Sequence, residues 1–236
     1  MKAGQPEIWA VIPVKETSEA KQRLSAGVPQ EVRRQLALFM LEDVLAAVSQ
    51  AHGVAGIAVV TVDAGAEQLA RRYGARILTG DARSGHTAAV AAAARWLAAE
   101  GVAGMLQLPG DVPLAMPPEL SHVLSMHRTA PSFTIVPSHD DRGSNAVVLS
   151  PPTVVPLRFG DDSFLPHLAM ARQRGIEPLI IRLPGIGRDI DNLEDLAVFA
   201  RMRSNTRTQS FLDRHGIADC GAQALCAVQR KRPDDC

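Results

Sequence analysis

Aromatic side chains are scarce in this chain: six Phe, two Trp and one Tyr make up 4% of its 236 residues. A core built from it has to be aliphatic, and a row of rings for stacking nucleic-acid bases is not to be expected. Net charge is missing as well. Lys plus Arg and Asp plus Glu each count 25, so no global basic field exists to hold a nucleic-acid backbone, and anionic ligands must be captured locally. No apolar run approaches the ~20 residues that cross a bilayer. The segment Met1-Lys2-Ala3-Gly4-Gln5-Pro6-Glu7 lacks the apolar stretch of a secretory signal. A cytoplasmic protein with neither membrane nor nucleic-acid partner is therefore expected. Cysteine is confined to the tail, at Cys220, Cys226 and Cys236, without close pairing or clustered His. Reduced thiols without a role are expected there rather than a zinc site.

What is present is an alternation of apolar strands and amphipathic helices. The run Ile8-Trp9-Ala10-Val11-Ile12-Pro13-Val14 reads as a buried parallel strand, followed by a polar loop, Lys15 to Arg23. Apolar groups at helical spacing over 30–51, a strand at 57–62, a helix at 66–73 and a strand at 76–78 continue the pattern. An Ala-rich helix at 87–99, a strand at 104–109 and a helix opening on Pro117-Pro118-Glu119 follow. Alternation of this kind predicts a mostly parallel sheet covered on both faces, with ligands at the carboxyl ends of the strands. After Ser132 the character changes. Phe133 to Pro137 and Ala146 to Leu149 flank a polar turn and read as a β-hairpin excursion. A helix at 163–174, a strand at 179–183 and a helix at 193–202 complete the pattern; a short helix near 209–214 and a disordered end are expected beyond it.

Two acidic clusters stand at strand ends. One is Leu108-Pro109-Gly110-Asp111-Val112-Pro113, the other Arg188-Asp189-Ile190-Asp191. Alternation places Asp189 and Asp191 on one face of extended backbone. Asp111 alone would read as a turn residue, and Asp191 or Asn192 alone as a helix cap. Three carboxylates brought together would repel one another unless a divalent cation sat between them, and Mg²⁺ bridging carboxylates to substrate phosphates is the usual solution. The loop after the first strand carries Lys15, Lys21 and Arg23, cations suited to a triphosphate, although it lacks the glycine spacing of a P-loop. Gly143-Ser144-Asn145-Ala146 and Phe159-Gly160-Asp161-Asp162-Ser163-Phe164 are glycine turns with a hydroxyl at hand, and Ser163 reads as a helix cap whose neighbouring amides could receive an anion. His167 has no nucleophile to pair with and reads as a packing or supporting residue.

Taken in order, Ile-Pro-Val-Lys (12–15), Ala-Lys-Gln-Arg-Leu (20–24), Leu-Pro-Gly-Asp-Val-Pro-Leu (108–114), Gly-Ser-Asn-Ala (143–146), Phe-Gly-Asp-Asp-Ser-Phe (159–164) with His167, and Asp-Ile-Asp-Asn-Leu-Glu-Asp-Leu (189–196) resemble the CofC/FbiD family. These are guanylyltransferases of coenzyme F-420 biosynthesis acting on 2-phospho-L-lactate, phosphoenolpyruvate or 3-phosphoglycerate. The resemblance, over about residues 8 to 203, implies a three-layer α/β/α nucleotidyltransferase fold of the GT-A type in 1–203, with 204–236 a tail. It implies Mg²⁺ on Asp111, Asp189 and Asp191, with Lys15 completing the catalytic set. It implies GTP on Lys15, Lys21, Arg23 and Gly85, and the phosphorylated acid on Ser144, Gly160 and Ser163. Ser144 stands where the family usually has Thr, and Gly85-His86-Thr87 where it commonly has Gly-Leu-Asn. That second departure leaves open cytidylyl or uridylyl transfer to another small phosphorylated acceptor. A non-catalytic nucleotide-binding relative is disfavoured by the three retained aspartates. The hairpin offers a surface on which two copies could pair as a homodimer.

Overall fold

In the computed structural model, residues 7–160 and 162–217 are described. Their centre is a seven-stranded sheet in the order β3-β2-β1-β4-β6-β5-β7. Strands β1 (Ile8–Pro13), β2 (Val54–Val60), β3 (Arg76–Leu78) and β4 (Gly104–Gln107) run parallel. Ala10, Val11 and Ile12 of β1 are wholly buried, as a central strand covered on both faces requires. The expected hairpin is β5 (Ser132–Pro137) and β6 (Ser144–Ser150), and it enters the sheet rather than leaving it. β6 inserts antiparallel between β4 and β5, and the two-residue β7 (Leu179–Ile180) adds parallel to β5.

Helices cover both faces. On one side, α1 (Gln30–Gln50), α2 (Ala64–Arg72) and α4 (Pro117–Met126) pack Leu41, Val44, Leu45, Ala66, Leu69, Leu120 and Val123 onto Ile12, Val59, Leu106 and Val148. On the other, α3 (His86–Ala99) and α5 (Phe164–Gln173) cover Val11, Met105, Ile135 and Val147. Ala89, Ala93 and Ala94 carry no more than a methyl group, so α3 can approach the sheet closely.

A third cluster decides where the chemistry sits. The far side of α1 (Leu36, Met40) packs with Leu24, Ile190 and the last two helices, α6 (Leu193–Arg201) and α7 (Arg207–Arg214), through Leu196, Phe199, Phe211 and Leu212. Leu24 belongs to the cationic loop and Ile190 to the acidic segment, so one small core holds both halves of the candidate site. α7 is fastened to α1 by Asp43, whose carboxylate accepts the Arg207 and Thr208 amides, both at 2.9 Å, and the Thr208 hydroxyl at 2.6 Å. The disordered end expected beyond this helix, and all three cysteines, lie outside the described residues.

Candidate active site

The loop that leaves β1 is held by a residue the sequence pattern did not single out. Asp63, capping α2 through Ala66, also accepts the Thr17 amide at 2.9 Å and the Thr17 hydroxyl at 2.6 Å. So anchored, the loop carries Lys21 in the left-handed region (φ 53, ψ 45), a conformation costing a non-glycine residue about 1–2 kcal/mol. The conformation accompanies a specific aim. Lys21 Nζ lies 2.6 Å from Asp111 Oδ2 and 2.9 Å from Asp191 Oδ1, bridging the two acidic clusters.

Those clusters are also joined through the backbone. The Ile190 amide donates to the Asp111 carbonyl at 3.1 Å, and burial of Ile190 turns Asp189 and Asp191 away from the core. Asn192, rather than Asp191, caps α6, its side chain accepting the Glu194 and Asp195 amides in a reciprocal capping box with Asp195. Asp191 is thereby left for Lys21. Glu119 of α4 fixes the approach to this segment: its buried carboxylate accepts the Gly185 amide at 2.8 Å and the Ile186 amide at 3.0 Å. Residue 185 has to be glycine, since a Cβ there would collide with the Leu114 carbonyl and with Glu119 itself.

The electrostatics are those of a crowded acidic site. Burial, reinforced by Asp111 and Asp191, pushes the Asp189 carboxyl up to about 6 against the opposing hydrogen bond from Asn145 Nδ2 at 3.0 Å. Burial would raise Asp191 too, but Lys21, Arg23 and Lys15 outweigh it and hold the carboxyl low. Burial likewise opposes charge on Lys21, and its two aspartates overcome that, raising its pKa. Among the described residues no three His, Cys, Asp or Glu side chains stand arranged to hold a metal ion. The donor set still fits a hard divalent cation: the groups are all carboxylate oxygens, they repel one another, and the charge that bridges Asp111 and Asp191 is an ammonium on a flexible stem.

A second group of polar residues lies where β6 begins. Between β5 and β6 the register slips, Val136 opposing Ala146 and Pro137 opposing Ser144, so Asn145 is the extra residue of a β-bulge. Simple alternation would put Ser144 on the same face as Ala146, which packs toward α1 and α4. The bulge reverses this. Ser144 hydrogen-bonds α5, through His167 Nδ1 at 2.9 Å and Ser163 Oγ at 3.1 Å, while Asn145 turns to Ile186 and Asp189. Ser163 occupies the N-cap position of α5 without making the expected capping bond; its hydroxyl is committed to Ser144 instead.

Nearby, the Thr87 hydroxyl accepts the Phe159 amide at 3.0 Å, tying the start of α3 to the loop before α5. The Phe159 ring lies between His86 (4.4 Å) and His167 (5.1 Å). Gly85 precedes α3 at φ 92, a conformation that by itself calls for glycine. His86 contacts Gln107 at 3.2 Å, and the buried Gln107 Oε1 has no partner among the described residues. Burial holds His86 neutral, its pKa lowered to about 4.

Of the sequence-predicted residues, Lys21, Asp111, Asp189 and Asp191 thus form one cluster, with Lys15 and Arg23 near enough to act on Asp191, and Ser144 and Ser163 form another. Gly160 is exposed, and nothing lies within 4 Å of where its Cβ would be. Asp63, Gln107, Glu119 and Asn145 escaped sequence reading because each is defined by partners far along the chain. A cleft of about 750 Å³ between Phe39 and α7 has, among the described residues, Asp213 as its one acidic group and none of these residues.

A mostly parallel sheet with carboxylates and cations at its carboxyl edge is suited to holding phosphates, and structural relatives share the fold. A nucleotide-diphospho-sugar transferase from Desulfovibrio desulfuricans, described as putative, superposes with TM-score 0.72 at 18% identity over 92% of this chain and 98% of its own. A 4-diphosphocytidyl-2C-methyl-D-erythritol synthase does so at 0.59 and 14%, over 85% of this chain and all of its own. The chain belongs to the guanylyl transferase CofC like family, whose model matches residues 8–224. Its relatives include the phosphoenolpyruvate guanylyltransferase of Roseiflexus castenholzii, 37% identical over 89% of this chain and 98% of that one. They also include the 3-phospho-D-glycerate guanylyltransferase of Colwellia psychrerythraea, 32% identical over 82% of this chain and 91% of that one.

Proposed function

We propose that this enzyme transfers GMP from GTP to a small phosphorylated carboxylic acid of the phosphoenolpyruvate, 2-phospholactate or 3-phosphoglycerate kind, as a step in coenzyme F-420 biosynthesis in the cytoplasm. An oxygen of the acceptor phosphate attacks the α-phosphorus, the bond from that phosphorus to the β-phosphate bridging oxygen breaks, and pyrophosphate leaves. Such chemistry depends on position and charge neutralisation and needs no protein nucleophile. Asp111, Asp189 and Asp191 would hold Mg²⁺, which supplies charge neutralisation between the two substrates. Lys15, Lys21 and Arg23 grip the triphosphate. Lys21, on a flexible stem, would turn from its two carboxylates to phosphate oxygens. Gly85 and the start of α3 face the nucleoside. The Ser144 hydroxyl, the backbone at Ser163 and the Gly160 turn receive the acid.

The observation that supports this most is the lysine bridge between the two acidic clusters. The test pairs each nucleoside triphosphate with each of the three acids and follows Mg²⁺-dependent pyrophosphate release. GTP with one acid should turn over, and Asp111→Asn and Asp189→Asn should lose the activity while keeping the wild-type circular dichroism. Robust turnover in both variants would refute the assignment.

A further inference from the structure

We propose that His167 is a positioning residue that fixes the hydrogen-bond polarity of Ser144, leaving the Ser144 hydroxyl able only to donate and so selecting an oxyanion, the acceptor's carboxylate, over a neutral group in that place. This deepens the functional reading above and rests on it.

The polarity starts from one donor with no freedom. The Arg158 backbone N–H, which can only donate, points at His167 Nε2 at 2.9 Å. Nε2 therefore carries a lone pair. The ring is wholly buried, and burial, with a smaller contribution from His86, lowers its pKa to about 4, so it is neutral and its single proton sits on Nδ1. Nδ1–H then donates to Ser144 Oγ at 2.9 Å, and Ser163 Oγ donates to the same oxygen at 3.1 Å. A hydroxyl has two lone pairs and one hydrogen. Both lone pairs of Ser144 are occupied, so what remains for a ligand is its O–H.

The location suits that use. Ser144 opens β6, and the next residue, Asn145, donates to Asp189 in the acidic cluster. The β-bulge that parts these two side chains lets one backbone turn serve both clusters, Asn145 holding the acidic side and Ser144 the acid's other end. A hydroxyl that can only donate favours a carboxylate over a neutral hydroxyl or amide, because its bond to the charged oxygen is charge-assisted and roughly twice as strong.

Two measurements decide the matter. Long-range ¹H–¹⁵N NMR of wild-type imidazoles, with His167 assigned by its absence in variants, should show the Nδ1–H tautomer; an Nε2–H tautomer overturns the proposal. Enzyme kinetics and calorimetric titration with phosphoenolpyruvate then separate the two ring nitrogens. His167→Asn keeps a donor near the Nδ1 position and should bind the acid within about threefold of wild type. His167→Gln and Ser144→Ala should weaken it by about tenfold or more, with KM for GTP unchanged. Discrimination between 3-phosphoglycerate and glycerol 3-phosphate, which has a neutral hydroxymethyl group in place of the carboxylate, should collapse in the same two variants. Equal acid affinity in His167→Gln and wild type overturns the proposal. Failure of wild type to turn over any acid would instead refute the functional reading, and the tautomer and the calorimetric comparison would still judge the polarity by themselves.

Discussion

Replacing Asp189 with Asn should make the metal-free protein more stable while making it inactive. The carboxyl is pushed from 3.8 to about 6 by burial and by Asp111 and Asp191. A carboxyl whose folded pKa exceeds its unfolded one penalises folding when it ionises. The penalty is absent below about pH 4, grows between about pH 4 and 6, and is complete above that window. Two units correspond to about 3 kcal/mol, and solvent contact at a half-buried group reduces this to about 1–2 kcal/mol. Asn abolishes the charge yet retains an oxygen to accept the Asn145 amide. In chelator at about pH 8, Tm should therefore rise by about 2–8 °C. At about pH 4 the gain should vanish, because the wild-type side chain is then protonated. Mg²⁺ should shrink or reverse the difference, since only the wild type gains binding energy from it. A variant that is no more stable at pH 8, or equally stabilised at pH 4, would refute the account of a repulsive acidic cluster.

Three further perturbations probe the surroundings. Lys21→Met leaves Asp111 and Asp191 facing each other without their ammonium and should cost about 1–3 kcal/mol in chelator, part of it recovered on adding Mg²⁺; a loss indifferent to Mg²⁺ in thermal melts would count against the shared-site reading. Glu119→Gln can satisfy only one of the Gly185 and Ile186 amides through its single carbonyl oxygen, so it should cost about 1–3 kcal/mol and weaken the Mg²⁺-induced rise in Tm. Asp43→Ala unfastens α7 and should cost about 2–4 kcal/mol in denaturant titrations while leaving kcat at low temperature within about twofold of wild type.

The periodic parts of the fold could be read directly from the chain. The helix over 30–51 and the strand at 76–78 correspond to α1 and β3, because a dense apolar pattern announces its own period. The same holds for part of the site. The motif order pointed to the family that the residue 8–224 match establishes, and the Asp189-Ile190-Asp191 alternation marked two carboxylates that flank a buried isoleucine.

Where reading by pattern stopped, long-range partners took over. Ser163 has the identity and position of a helix cap, and only the nearness of Ser144, reached through a bulge that no local signal marks, diverts its hydroxyl. Lys21 reads as one cation among three in a loop, and becomes the link between the two acidic clusters only because Leu24 and Ile190 share a core with α1. The chain by itself determined which chemical groups are available and the local period on which each is mounted. Which of them meet was decided by tertiary packing, since hydrogen bonds and Coulomb attraction act over a few ångströms of space between residues as far apart as 21 and 191.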